Sequence, residues 1–184
     1  MIELRRRMKK DKNVEREMIN LTDSMKHINP EHINTILELI NNSPYFKLLD
    51  MKVCDIGIGY AKVEIDLQGK HLNPFGAIHG GVYSSLIDTA AYLAIYCELG
   101  DSVGYTTIDL SINNLSMISE GRIIVEGRSI KVGRSICLAE AAAKDERGKL
   151  LAYGTSKLML LEDWQFLNNA LKARGIPSLP PKFV

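Results

Sequence analysis

No sign of charge dominates this chain. Its formal net charge is +1 over 184 residues, so no global field draws it to nucleic acid or to an acidic surface. Cysteine is scarce: Cys54, Cys97 and Cys137 lie far apart and form no C-x-x-C pair. Zinc and thioredoxin-like redox chemistry therefore lack support. An odd, scattered set fits a reducing compartment in which each thiol packs as a small apolar group. No stretch reaches about 18 uncharged apolar residues, the length a spanning helix needs. Arg5, Arg6, Arg7, Lys9 and Lys10 crowd the start with no apolar segment behind them, unlike a secretory signal. Internal repeats and low-complexity tracts are missing as well. What is present is a globular composition, 46% hydrophobic and 24% charged, of a length that suggests one domain with a terminal extension. The expectation is a cytoplasmic protein that needs neither membrane nor nucleic acid.

Two helices are expected first. Val14, Met18, Leu21, Met25 and Ile28 recur at three- and four-residue steps, one face of a helix, with the basic start as its solvated end. Asn29-Pro30-Glu31 places an N-cap before a proline at the first helical position, which predicts a second helix to about Asn42, stopping near Ser43-Pro44. After Pro44 the period becomes two. Ala61, Val63, Ile65 and Leu67 alternate with Lys62, Glu64, Asp66 and Gln68, the pattern of a half-buried antiparallel strand. Leu49, Met51 and Val53 read as its partner across a Gly57-Ile58-Gly59 turn. A loop from Gly69 to Ile78 leads into a helix over 80–98. Strand patterns return over 107–113, 122–132, 135–144 and 150–161, with turns at Gly133-Arg134 and Asp145-Glu146-Arg147-Gly148. Residues 162–184 read as a short helix and a Pro-rich end. Two strands, a long helix and four strands make an α+β domain with an antiparallel sheet, spanning 47–161 between a helical extension (1–46) and a tail.

The helix over 80–98 is apolar nearly all round, which marks it as buried. Asp88, in its middle, is the only charged residue before Glu98. A lone carboxylate in such surroundings costs several kcal/mol or takes a raised pKa. It reads either as a structural group bonded to backbone or to a cation, or as a base or nucleophile tuned by burial. Gly76, Gly80 and Gly81 crowd the helix N-terminus, where free N–H groups and the positive dipole end sit. They make either a tight turn or an oxyanion hole for acyl transfer. His79 stands beside that turn. Asp88 lies roughly 12 Å up the helix from Gly80 at 1.5 Å per residue, too far for one carbonyl to meet both within a chain. A site shared across a dimer interface would solve this.

The run Asn73-Pro74-Phe75-Gly76-Ala77-Ile78-His79-Gly80-Gly81, followed by Leu86-Ile87-Asp88, resembles the signature of hotdog-fold thioesterases, in particular the PaaI-type branch of the 4-hydroxybenzoyl-CoA thioesterase superfamily. The resemblance covers about residues 48–161. It implies a sheet wrapped around a long central helix, and hydrolysis of an acyl-CoA thioester with no cofactor or metal, coenzyme A being part of the substrate. It implies Asp88 as general base or nucleophile and the Gly80 N–H as oxyanion donor. Asn73 would place the water or hold the substrate, His79 would support the carbonyl or the departing thiolate, and Thr107 would orient the water. Gly81 and the turn Val132-Gly133-Arg134-Ser135 would touch coenzyme A, with Arg134 on a phosphate. Homodimers through sheet edges, pairing into homotetramers, are implied as well. One departure stands out: where relatives carry an apolar-Arg-Pro element, this chain has Asn113-Asn114-Leu115-Ser116-Met117-Ile118. Two other functions remain open on the same fold, an enoyl hydratase or dehydratase and a non-catalytic acyl-CoA sensor.

Overall fold

The computed structural model of the chain describes residues 27–100, 103–161, 171–176 and 178–184. The helix expected on Val14, Met18, Leu21 and Met25, the basic start and the first part of the tail lie outside these residues.

Helix α1 (Pro30–Asn41) begins as its sequence predicts: the Asn29 side chain accepts from the Glu31 N–H and proline fills the first turn. The next segment departs from expectation. Pro44–Leu49 is a short helix, α2, not the start of a strand. Ser43 and Pro44 supply a helix entry, and Asp50, in the left-handed region at φ 51°, ends it. Leu49 thus belongs to α2, and strand β1 (Lys52–Gly57) starts later. Strand β2 (Tyr60–Asp66) follows a two-residue turn, Ile58-Gly59, since Gly57 already pairs with Tyr60. Helix α3 (Gly80–Tyr96) precedes β3 (Gly104–Asn114), β4 (Arg122–Val132), β5 (Ile136–Asp145) and β6 (Leu150–Leu161). Strand β3 is longer than the alternation suggested.

The six strands form one antiparallel sheet in the order β1-β2-β4-β5-β6-β3, and α3 lies against every one of them. Small side chains allow this embrace. Ala90, Ala91 and Ala94 on the helix and Ala139, Ala141, Ala143 and Ala152 on the sheet are all at most 1% exposed. Gly127 is the tightest approach: a Cβ there would fall within 2.5 Å of the Ala90 carbonyl carbon and oxygen, so only glycine lets β4 cross the helix at this depth. Cys97 and Cys137 pack in this core as free thiols.

The two sheet edges differ. At β1 the Asn41 side chain takes the place of a neighbouring strand, donating to Val53 O (2.9 Å) and accepting from Val53 N (2.8 Å), and α1 lies alongside. The β3 edge is 11 residues long and has no neighbour among the described residues. No helix among the described residues is long and apolar enough to cross a membrane.

Candidate active site

Helix α3 is not uniformly buried. Gly81, Ser84, Ser85, Asp88, Thr89 and Tyr92, spaced three and four apart, form a stripe that the sheet leaves partly open. This polar stripe is masked in the sequence by its short hydroxyl residues. Those hydroxyls are committed: Ser84, Ser85 and Thr89 donate to the carbonyls four residues back, at 3.1, 2.9 and 2.7 Å. The half-buried Asp88 carboxylate is the remaining reactive group of the stripe. Burial pushes its pKa above the ordinary value, and a hydrogen bond from Thr107 partly opposes the rise. That bond, Thr107 Oγ1 to Asp88 Oδ1 at 3.0 Å, unites two of the residues expected in the site. It orients the carboxylate and occupies one of its oxygens.

One turn further on, Tyr92 and Tyr105 clamp β3 to the helix. Each hydroxyl donates to the other residue's carbonyl at 3.1 Å, and the rings stack 4.2 Å apart. Burial and then the nearby Asp88 carboxylate push the Tyr92 phenol far up, so it stays a neutral wall beside Asp88. Nothing in the sequence marked it for this place.

The second cluster lies at the start of α3. His79 is its N-cap, its Nδ1 accepting from the Gly81 N–H at 2.9 Å, while its carbonyl accepts from Val82 N. His79 and Gly81 therefore satisfy each other, and the Gly80 N–H between them makes no hydrogen bond to the described residues. Asn73 shapes the preceding loop: its Oδ1 accepts from Phe75 N (2.9 Å) and Ala77 N (3.3 Å), so the side chain is spent on the turn. His71, not singled out from the sequence, anchors this loop from a fully buried position. Its Nδ1 accepts from Gln68 N (3.0 Å), its Nε2–H donates to Leu49 O (2.7 Å), and its carbonyl accepts from His79 N (2.9 Å). Those partners define a neutral ring with its proton on Nε2.

Beside Gly80 opens a groove of about 230 Å³ lined by Ile78, Gly80, Tyr83, Asn114, Leu115 and Met117 among others. Thus the structure pairs Asp88 with Thr107 and His79 with Gly80 and Gly81, as two clusters on one helix. The turn Val132-Gly133-Arg134-Ser135 belongs to the Asp88 end. Val132, Cys137, Leu158 and Thr107 stand in one row across β4, β5, β6 and β3, roughly 14 Å at strand spacing. Arg134 is solvent-exposed there. No group of three or more His, Cys, Asp or Glu side chains suited to a metal occurs among the described residues.

Comparison with known proteins agrees with this architecture. Residues 75–152 match the family described as "Thioesterase superfamily". A protein of Saccharolobus solfataricus named "Putative esterase" is 31% identical over 129 residues, covering 70% of this chain and 87% of that protein. Another of that name from Archaeoglobus fulgidus is 41% identical over 56 residues, 30% of this chain and 36% of the relative. Among solved structures, thioesterase HI1161 from Haemophilus influenzae superposes with a TM-score of 0.66 at 22% identity, covering 71% of this chain and 90% of its own. A variant of the phenylacetic acid degradation protein PaaI from Thermus thermophilus superposes with a TM-score of 0.60 at 22% identity, covering 65% and 100%. These structural likenesses show the fold, the hotdog arrangement expected from the sequence.

Proposed function

The chain belongs to the thioesterase superfamily, and from that premise we propose that it hydrolyses acyl-CoA thioesters with Asp88 as general base. The observation that carries this reading is the half-buried Asp88 carboxylate, held by Thr107 on the open stripe of α3. With Oδ1 engaged, Oδ2 accepts a proton from water as the water oxygen attacks the thioester carbonyl carbon. The carbonyl oxygen becomes an oxyanion and is held by the Gly80 N–H at the positive end of the helix. Collapse of the tetrahedral intermediate breaks the C–S bond, and the proton on Asp88 passes to the departing thiolate.

Gly80 and Asp88 are roughly 12 Å apart along one helix, so the proposed site draws on two copies. Thr107 and Asn114 both pair with inward-facing residues of β6, Leu158 and Ala152. Antiparallel pairing of two β3 edges about a two-fold near Ser111 sets Thr107 of one copy across from Asn114 of the other. Asp88 then approaches the Gly80 end of the second copy, and the open edge is covered. Arg134 is proposed to meet a phosphate of coenzyme A.

The test is thiol release from a panel of acyl-CoA thioesters by wild type and Asp88→Asn. The variant is expected to lose about a hundredfold or more in kcat, within the range of a general base, while staying folded. A single turnover in ¹⁸O-water tests for a covalent intermediate: label found in Asp88 requires that the carboxylate attacked as a nucleophile and that water opened the resulting anhydride at the Asp88 carbonyl. A wild type that binds acyl-CoA without cleaving it would instead favour the sensor.

A further inference from the structure

The stretch Asn113-Asn114-Leu115-Ser116-Met117 ends β3 at the mouth of the groove beside Gly80. Asn114 pairs in register with Ala152, which is 0% exposed and faces the helix. Its side chain therefore points toward α3. Its Nδ2 lies 3.0 Å from where a Cβ on Gly80 would sit. The Asn114 amide makes no hydrogen bond to the described residues, and nor does the Gly80 N–H.

We propose that Asn114 is a catalytic residue, its side-chain amide donating, together with the Gly80 N–H, to the carbonyl oxygen of the substrate. This rests on the thioesterase reading above and adds a second donor to its oxyanion site. The geometry is sufficient. A backbone nitrogen lies about 2.5 Å from its own Cβ, so Nδ2 and the Gly80 nitrogen are at most roughly 5.5 Å apart. Two donors that each bond one oxygen at about 2.9 Å can be separated by up to roughly 5.8 Å. Glycine at position 80 then has a specific reason: a side chain there would stand between the two donors, where the oxygen must sit. The same amide is an acceptor on its other atom, so it also suits a substrate that carries a donor next to the thioester.

The experiment compares steady-state hydrolysis of the best acyl-CoA substrate by wild type, Asn114→Ala, Asn114→Asp and Asp88→Asn. Position 114 is exposed, and a carboxylate beside a helix N-terminus is favourable, so both position-114 variants are expected to fold. At pH 7 Asn114→Asp keeps the shape but replaces the donor with an anion. Its kcat is expected to fall about a thousandfold, and that of Asn114→Ala about a hundredfold, the range for a lost oxyanion donor. KM is expected to change less than threefold in Asn114→Ala. Undiminished kcat in either variant overturns the proposal, as does a change confined to KM, which would make Asn114 only a wall of the groove. If Asp88→Asn is dead while Asn114→Asp is fully active, this assignment falls and the thioesterase reading stands. A wild type that cleaves no acyl-CoA overturns both.

Discussion

The two ends of α3 present opposite unsatisfied groups, and the chain treats them differently. At the C-terminal end, Lys182 donates to the carbonyls of Tyr96 (3.2 Å) and Leu99 (3.0 Å) from a position only 3% exposed, with its ammonium 4.3 Å from the centre of the Tyr96 ring. His32 on α1 completes the seal, bridging Pro180 O and the Tyr96 hydroxyl at 2.7 Å each. The segments around Ile28 and Phe183 pair over the same end. At the N-terminal end, His79 satisfies Gly81 and Val82, and the Gly80 N–H faces an open groove. The helix dipole favours a cation at one end and an anion at the other. The chain supplies the cation itself at one end and leaves the place for an anion open at the other, so stability is built at the sealed end and the proposed chemistry uses the open one.

This division can be broken experimentally at either end. Lys182→Met keeps the aliphatic length but strands two buried carbonyls; it is expected to cost about 3 kcal/mol, read as a lower Tm, with kcat of the folded protein unchanged. A large loss of kcat at constant stability would mean that the sealed end also shapes the site. Gly80→Ala is the mirror experiment. Its Cβ crowds Asn114 and the substrate oxygen, so kcat/KM is expected to fall about thirtyfold, equivalent to roughly 2 kcal/mol, while Tm moves little. Thr107→Val has the smallest expected effect, a severalfold drop at neutral pH and a displaced pH profile. A base must be ionised, so activity rises with pH through the Asp88 pKa. The Thr107 hydrogen bond favours the ionised form. Its removal raises that pKa further and is expected to move the acid limb of kcat/KM to higher pH. A limb that stays in place would detach Asp88 from that limb.

Much of the fold was legible because local chemistry and tertiary demand coincide. The apolar run over α3, the alternation in β2 and the turn residues after β4 and β5 each have one good solution. The α2 segment was not legible: Pro-Tyr-Phe-Lys-Leu-Leu has no strand or helix period of its own, and its fate depends on the Ser43 entry and the left-handed Asp50 exit. Within the site, Asp88 declared itself as a charge in an apolar helix and Gly80 as part of a glycine cluster. His71 and Tyr92 carried no such signal, because each is recognisable only by the backbone atoms that fold against it.

Sequence alone determined the order of the six strands around the long helix, that helix with its one carboxylate, and the glycines at its start, since each follows from local periodicity and propensity. Only the tertiary structure decided which side chains meet. Thr107 and Asn114 are seven residues apart, and in a regular strand an odd separation places two side chains on opposite faces. The register shift between Thr107 and Asp109 adds one residue and brings both onto the face that looks at α3. A bulge of this kind is set by how β3 pairs with β6, across about fifty residues of chain, and no local pattern in β3 records it.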